Sequence, residues 1–302
     1  MIRRVLVIFP GALGDLMCLL PTLTAIAQRH PGASVELMAR FELAQLAAGR
    51  TVVARGHSID AREVSALFTD DAAVDAHRFF GDFDRIYSFF ASDDSRFRTN
   101  LAAATDGEVS FHPFRPDGDG HVSDAYRRSI QIEAPDPPLD SRLKPTLSDL
   151  AAAARALAQS KCGGSKLIVI FPGSGSAAKN WPAGRFAMLA SMLANAVVIL
   201  GPAETSIEPI FRRAGVGVLK DLDLPAVAAV ARVAAAFVGN DSGVSHLAAA
   251  TGASGVVIFG PSDPARWRPL ALGTAQIDVL RREPLDSLEC GEVASVVSKF
   301  VA

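Results

Sequence analysis

Val5-Leu6-Val7-Ile8-Phe9-Pro10-Gly11-Ala12-Leu13-Gly14-Asp15 is an apolar, β-branched run closed by a glycine turn. Its pattern returns as Leu167-Ile168-Val169-Ile170-Phe171-Pro172-Gly173-Ser174-Gly175-Ser176. A run of this kind that feeds a glycine-bearing turn and then a helix is how an open parallel sheet begins. Ligands of such sheets bind beyond the carboxyl ends of the strands, where backbone N–H groups and helix N-termini collect. Two such starts predict an α/β chain with two Rossmann-like halves whose loops face one cleft.

The bulk properties agree. The 302 residues are many for one core and suit two domains of ordinary size. At 49% hydrophobic residues the chain can bury a parallel sheet under helices on both faces. A formal net charge of −2 provides no basic stripe for nucleic acid, and two Trp and two Tyr leave few stacking platforms, so no nucleic-acid partner is expected. Cys18, Cys162 and Cys290 are scattered, with neither metal-ligand spacing nor a disulfide framework, which points to a reducing cytoplasm and no metal site. Arg3-Arg4, the apolar stretch after it and Ala25-Ile26-Ala27 imitate a signal peptide, but Gly11, Gly14 and Asp15 interrupt it, and a buried first strand fits better. No uninterrupted apolar segment approaches the roughly 20 residues of a membrane span. The nearest, Leu224 to Gly239, contains Arg232 and reads as helix then strand. The expected location is cytoplasmic, compatible with peripheral contact at the inner membrane face.

Strands are expected at 3–9, 35–39 and 85–90, with weaker signals near 51–53 and 109–112, and helices at 15–29, 42–49, 60–68 and 122–132. Asp93 to Asp124, with Pro113, Pro116, Gly118 and Gly120, reads as a mobile loop holding one short helix. Ala134 to Pro145 reads as the linker and Leu147 to Gln159 as a helix. The second half alternates more cleanly, with strands near 166–171, 196–200, 216–219, 235–239 and 255–259 and helices at 183–194, 204–213, 224–234 and 243–251. This alternation implies right-handed crossovers and a parallel sheet. The expected domains are 1–145, 146–285 and a C-terminal helical segment, 286–302, packing back on the first domain.

Neither glycine loop carries the three-glycine dinucleotide fingerprint or a P-loop Gly-Lys-Ser/Thr, which disfavours a dehydrogenase or a kinase-type NTPase. Asp15, at the start of a helix, is open to two readings: a cap for backbone N–H groups, or a carboxylate available as general base. Ser174, Gly175 and Ser176 offer hydroxyls and unhindered amides, and Lys179 follows within a turn. That set suits a diphosphate, although a solvated lysine explains Lys179 equally well. Trp181-Pro182 then opens a helix, with proline in its first turn. In Val238-Gly239-Asn240-Asp241-Ser242-Gly243-Val244-Ser245-His246, Asp241 or Ser242 is placed to cap a helix. The Ser242 and Gly243 amides then point at an anion, and His246 is one turn in, either as a ligand contact or as satisfied core. Glu204, just past a strand, is either a ribose acceptor or a first-turn glutamate favouring the helix dipole. Asp221 and Asp223 imitate a metal-binding Asp-x-Asp, but fit better as a strand end and a helix cap.

Gly14-Asp15 with Leu19-Leu20-Pro21, Pro172-Gly173-Ser174 with Lys179-x-Trp181-Pro182, Gly239-Asn240-Asp241-Ser242-Gly243 with His246, and Phe259-Gly260-Pro261-Ser262-Asp263-Pro264 stand here in one order. In that order the chain resembles the ADP-heptose:lipopolysaccharide heptosyltransferases, family 9 of the glycosyltransferases. The resemblance is strong in the second half, good in the first 25 residues and weak from about 40 to 145. It implies a GT-B fold and inverting transfer of a heptose or related sugar from an ADP-sugar to a lipopolysaccharide core or related glycan acceptor, with no cofactor required. By matching positions it implies Asp15 as catalytic base, with Gly11 and Gly14 in the acceptor-side loop. It implies Ser174 and Lys179 at the diphosphate, with Gly175 and Ser176 of the same loop counted as donor-binding, Asp241, Ser242, Gly243 and His246 in the donor loop, and Glu204 at the ribose. The chain is short for the family, and Gly175 stands where some members carry a hydroxyl. Two rivals follow: a GT-B nucleotide-sugar epimerase, and a sugar-nucleotide-binding protein without turnover.

Overall fold

The computed structural model describes residues 2–69, 73–133, 140–160, 164 and 166–301. Cys162 and the 134–139 part of the expected linker lie outside the described residues. The chain divides into two compact units, Met1–Ser141 and Arg142–Ala302. The second begins earlier than the expected 146 because Leu143 is buried and its N–H donates to Ala250 O at 2.9 Å.

Unit 1 comprises β1 (Arg4–Ile8), α1 (Leu13–Arg29), β2 (Ser34–Ala39), α2 (Phe41–Ala47), β3 (Val53–Ser58), α3 (Arg62–Ala66), α4 (Ala73–Phe80), β4 (Arg85–Ser88), α5 (Ser95–Ala103), β5 (Glu108–Phe111) and α6 (Val122–Ser129). Its sheet is parallel throughout, in the order β3-β2-β1-β4-β5. Val5 to Ile8 are wholly buried because β1 is central and covered on both faces, which is why it reads as a continuous apolar run. Phe9, one residue on, meets Phe89, Phe114 and Tyr126 edge to face at 5.6–5.8 Å. Its ring fills the space that a side chain at Gly11 would need. Helix α6 ends with Gln131 at φ 56°, its N–H on Arg128 O, while Arg29 of α1 donates to the orphan carbonyls of Ile130 and Gln131 at 3.0 and 2.6 Å.

Unit 2 comprises α7 (Leu147–Ser160), β6 (Ile168–Phe171), a 3₁₀ turn (Ala177–Lys179), α8 (Ala183–Met192), β7 (Ala196–Leu200), a second 3₁₀ turn (Pro202–Ile207), α9 (Glu208–Arg213), β8 (Gly217–Lys220), α10 (Leu224–Val233), β9 (Ala236–Asn240), α11 (Gly243–Ala250), β10 (Gly255–Phe259), α12 (Pro264–Trp267), β11 (Ile277–Arg281) and α13 (Cys290–Ser298). The sheet is again parallel, in the order β11-β10-β9-β6-β7-β8. Read from β8 inward, this is the doubly wound 3-2-1-4-5-6 order, with its switch point between β6 and β9. The core packs Ile168, Ile170, Val238 and Val256 against Trp181, Phe186, Phe211, Val293 and Val297.

The polar stretch 93–124 holds the one short helix expected in it, α5, whose first turn Asp94 caps by accepting from Phe97 N at 2.8 Å, and β5 stands at the weak strand signal near 109–112. Several expectations change. Strand β3 starts at Val53, where the expected segment ends, because past Val53 none of its residues is buried and an apolar signal is missing. Helix α4 and the edge strand β11, all of whose residues keep some exposure, were not expected. Pro182 is the N-cap of α8 rather than a residue of its first turn. The 286–302 segment was expected to pack back on the first domain. Its α13 packs on α8, β9 and β10 of its own unit, with Val293 and Val297 wholly buried.

Candidate functional site

The unit 2 switch point lies between the loops that follow β6 and β9, and the predicted donor residues, apart from Glu204, sit on those two loops or open α11. After β6, Ser174 Oγ donates to Ser176 O at 2.7 Å and accepts from Ser176 N at 3.2 Å, a local turn that fixes the loop. Gly175 is exposed, with open space where a side chain would stand. Lys179 closes the 3₁₀ turn and its Nζ donates to Asp241 Oδ2 at 2.7 Å. Asp241 is 6% exposed and the Lys179 side chain 35%, so Lys179 is not a freely solvated lysine: it forms the cation of a half-sheltered ion pair.

After β9, Ser242 rather than Asp241 is the N-cap of α11, accepting from Ser245 N at 3.4 Å. The positive end of an eight-residue helix therefore opens directly beside the Lys179–Asp241 pair. Gly243 is the first helical residue, and His246 lies in the first turn, buried at 6% exposure. Ser245 Oγ donates to Asn240 O at 2.7 Å and occupies the place of a Gly239 side chain. Glu204 follows β7 in the second 3₁₀ turn, where its Oε2 accepts from Gly201 N at 2.8 Å and its carboxylate lies against Gly173. Asp223 caps α10 through Ala226 N at 2.9 Å, as expected of a structural aspartate. Asp263, in the Gly-Pro-Ser-Asp-Pro block, caps α12 through Ala265 N at 3.0 Å.

In unit 1 the switch point is between β1 and β4. Ala12 is the N-cap of α1 and Asp15 its third helical residue, with Asp15 Oδ2 accepting from Ala12 N at 3.0 Å. The capping role is thus present, and the carboxylate stays half-exposed. Gly14 is the second helical residue, and Gly11 is buried under the Phe9 ring. Across the loop after β4, Ala91 adopts φ 49°, a left-handed conformation that a residue with a side chain rarely takes.

Sequence reading gave no role to Asn240 or Asn180. Asn240 was visible only as one polar residue among several, because its partners Pro172 and Trp181 lie some 60 residues away. Among the described residues no group of three or more His, Cys, Asp or Glu could hold a metal ion. No helix of the described residues is long and apolar enough to cross a membrane.

The family model for glycosyltransferase family 9 (heptosyltransferase) matches residues 125–292, more than half of the chain and nearly all of unit 2. The chain belongs to glycosyltransferase family 9. No curated protein sequence matches it. Among solved structures, a glycosyltransferase of family 9 from Veillonella parvula superposes with a TM-score of 0.82 at 18% identity, covering 99% of this chain and 97% of that one. E. coli ADP-heptose LPS heptosyltransferase II gives 0.74 at 18% identity, over 99% and 98%. E. coli heptosyltransferase WaaC, solved with ADP, gives 0.69 at 19% identity, over 98% and 99%. At these identities the likeness is one of fold, and it places the two parallel sheets of this glycosyltransferase in the GT-B class.

Proposed function

We propose that this family 9 glycosyltransferase moves a heptose or related sugar from an ADP-sugar to a lipopolysaccharide core or related glycan acceptor, with inversion at the anomeric carbon. The observation that carries the reading is the Lys179 ammonium, held by Asp241 beside the N-terminus of α11 at the switch point of unit 2. A cation and oriented backbone amides at one place suit the diphosphate of a nucleotide sugar. The solved E. coli heptosyltransferase WaaC complex with ADP supports an adenine nucleotide. Ser174 and Ser176 supply further donors, and Glu204 is the acceptor for the ribose hydroxyls.

In this scheme Asp15 Oδ1 takes the proton of the attacking hydroxyl, while Oδ2 keeps its bond to Ala12 N and holds the side-chain rotamer. The acceptor oxygen bonds the anomeric carbon as the bond from that carbon to the diphosphate oxygen breaks, and ADP leaves with the electron pair. Lys179 and the Ser242 and Gly243 amides stabilise the charge that develops on the diphosphate. Each such donor is worth on the order of 3 kcal/mol in the barrier, and no metal is needed.

The test supplies ADP-heptose with and without a lipopolysaccharide core acceptor and follows ADP release and glycan mass, in EDTA and in Mg²⁺. ADP release that requires acceptor, with heptose added to the glycan and activity kept in EDTA, is expected. Free sugar product from donor alone would show an epimerase. Binding without turnover on any glycan would show a non-catalytic module, and loss in EDTA restored by Mg²⁺ would overturn the metal-free scheme.

A further inference from the structure

Asn240, the last residue of β9, has no exposed surface, and both ends of its side-chain amide are engaged. Nδ2 donates to Pro172 O at 2.8 Å and to Asn180 Oδ1 at 3.3 Å, while Oδ1 accepts from Trp181 N at 3.0 Å. The orientation of the amide is set by its partners, since a backbone carbonyl only accepts and a backbone N–H only donates. Pro172 and Trp181 bracket the segment that carries Ser174, Gly175, Ser176 and Lys179. One planar amide therefore closes both ends of that segment onto the end of β9. The backbone oxygen of the same residue accepts from Ser245 Oγ at 2.7 Å, which ties it to the first turn of α11. The lysine-bearing loop and the helix N-terminus meet at this residue.

Packing alone does not call for an amide here: Phe237 and Val238 precede it in β9, and both are wholly buried apolar residues. An unsatisfied buried polar group costs about 1–3 kcal/mol. The amide is tolerated because it is satisfied, and it fixes one geometry. We infer that Asn240 is a positioning residue for the nucleotide sugar: it sets the distance of Lys179 and Ser174 from the N-terminus of α11 without touching the donor itself. The inference rests on unit 2 being the donor-binding unit.

A carboxylate at this position would face Pro172 O with no proton to give, whereas a neutral carboxyl offers one donor for Pro172 O and one acceptor for Trp181 N, and gives up only the longer bond to Asn180. Burial favours the neutral form and raises the pKa of such a carboxyl. Asn240→Asp is thus a lesion that acid reverses. ADP is titrated calorimetrically into wild type and Asn240→Asp at about pH 8 and about pH 5.5. At the higher pH the variant is expected to bind about tenfold more weakly than wild type, the equivalent of one net hydrogen bond. At the lower pH the ratio returns to within about twofold. In steady state the donor KM rises and the acceptor KM stays put. A folded variant with wild-type affinity at the higher pH, a loss independent of pH, or a fall in kcat with both KM values unchanged would overturn the inference. If Asn240→Asp does not fold, Asn180→Ala decides: about threefold weaker ADP binding is expected from loss of one weak partner, and unchanged affinity overturns the inference. Absence of ADP binding by wild type would instead defeat the donor reading, and the positioning role with it.

Discussion

Lys179 and Asp241 form an ion pair across 62 residues of sequence, and the two partners differ in exposure. The lysine reaches solvent and the aspartate does not, so an entering diphosphate can share the cation while the carboxylate stays sheltered. Lys179→Ala is expected to weaken ADP binding at least about tenfold, the scale of a charge-assisted hydrogen bond. Calorimetry that returns wild-type affinity would remove Lys179 from the donor site. Asp15 permits a cleaner separation, because its two roles use different chemistry. Asp15→Asn keeps an oxygen for Ala12 N but cannot take a proton, whereas Asp15→Ala also loses the cap bond, worth about 1 kcal/mol. Both variants should abolish transfer with ADP affinity nearly intact, and only the alanine variant should melt measurably lower. Transfer by Asp15→Asn at the wild-type rate would exclude the base. Neither the ion pair nor the Asn240 latch was legible beforehand, since each joins residues that meet only when β6 and β9 pair. The residue types at the site were legible, because they cluster after apolar runs.

At the level of elements, the fully buried strands announced themselves. β1, β6, β9 and β10 bury almost every residue and read as apolar runs, broken only by Arg4 at the start of β1 and Asn240 at the end of β9. Two of the four edge strands did not, because β11 and most of β3 keep partial exposure and carry polar residues. The end of β5 holds a polar cluster of another kind. His112 Nδ1 donates to Ser129 O at 2.9 Å, its Nε2 accepts from Ser110 Oγ at 2.8 Å, and Ser110 Oγ accepts from Arg85 at 3.1 Å. The ring lies over Tyr87, whose hydroxyl meets His30 at 2.9 Å. Burial chiefly, with the nearby Arg85 charge, pulls His112 below its ordinary value, against a smaller upward pull from its bond to Ser129. Burial lowers His30 in the same way. The unfolded chain then takes up these protons more readily than the folded one. Stability is full above the ordinary histidine value of 6.5 and declines as pH falls through it. Melting temperature should therefore drop between about pH 8 and pH 5, and less steeply in His112→Asn, which keeps the contribution of His30. Equal slopes in the two proteins would exclude His112 as a source.

On the scale of the molecule, each unit owns a sheet and a hydrophobic core, and each sheet has its own inner first strand, β1 or β6, with the switch point beside it. The twofold layout was readable from one repeated pattern. The family model, which matches residues 125–292, covers little of unit 1. If unit 2 alone holds the nucleotide, ADP at about one hundred times its Kd adds about 2.7 kcal/mol to the stability of that unit. Hydrogen exchange should then slow at 172–181, 201–204 and 240–246 and stay unaltered across β2, β3 and α2. Equal slowing in both sets would contradict a nucleotide held by unit 2. The central place of β6 also bears on how the chain is made. β7 covers one edge of β6 soon after synthesis, but the other edge waits for β9, and thus for Ala236 to Asn240 to leave the ribosome. At about 5–20 residues per second that apolar edge stays bare for several seconds on each nascent chain, so a chaperone that shields strand edges has most to guard there.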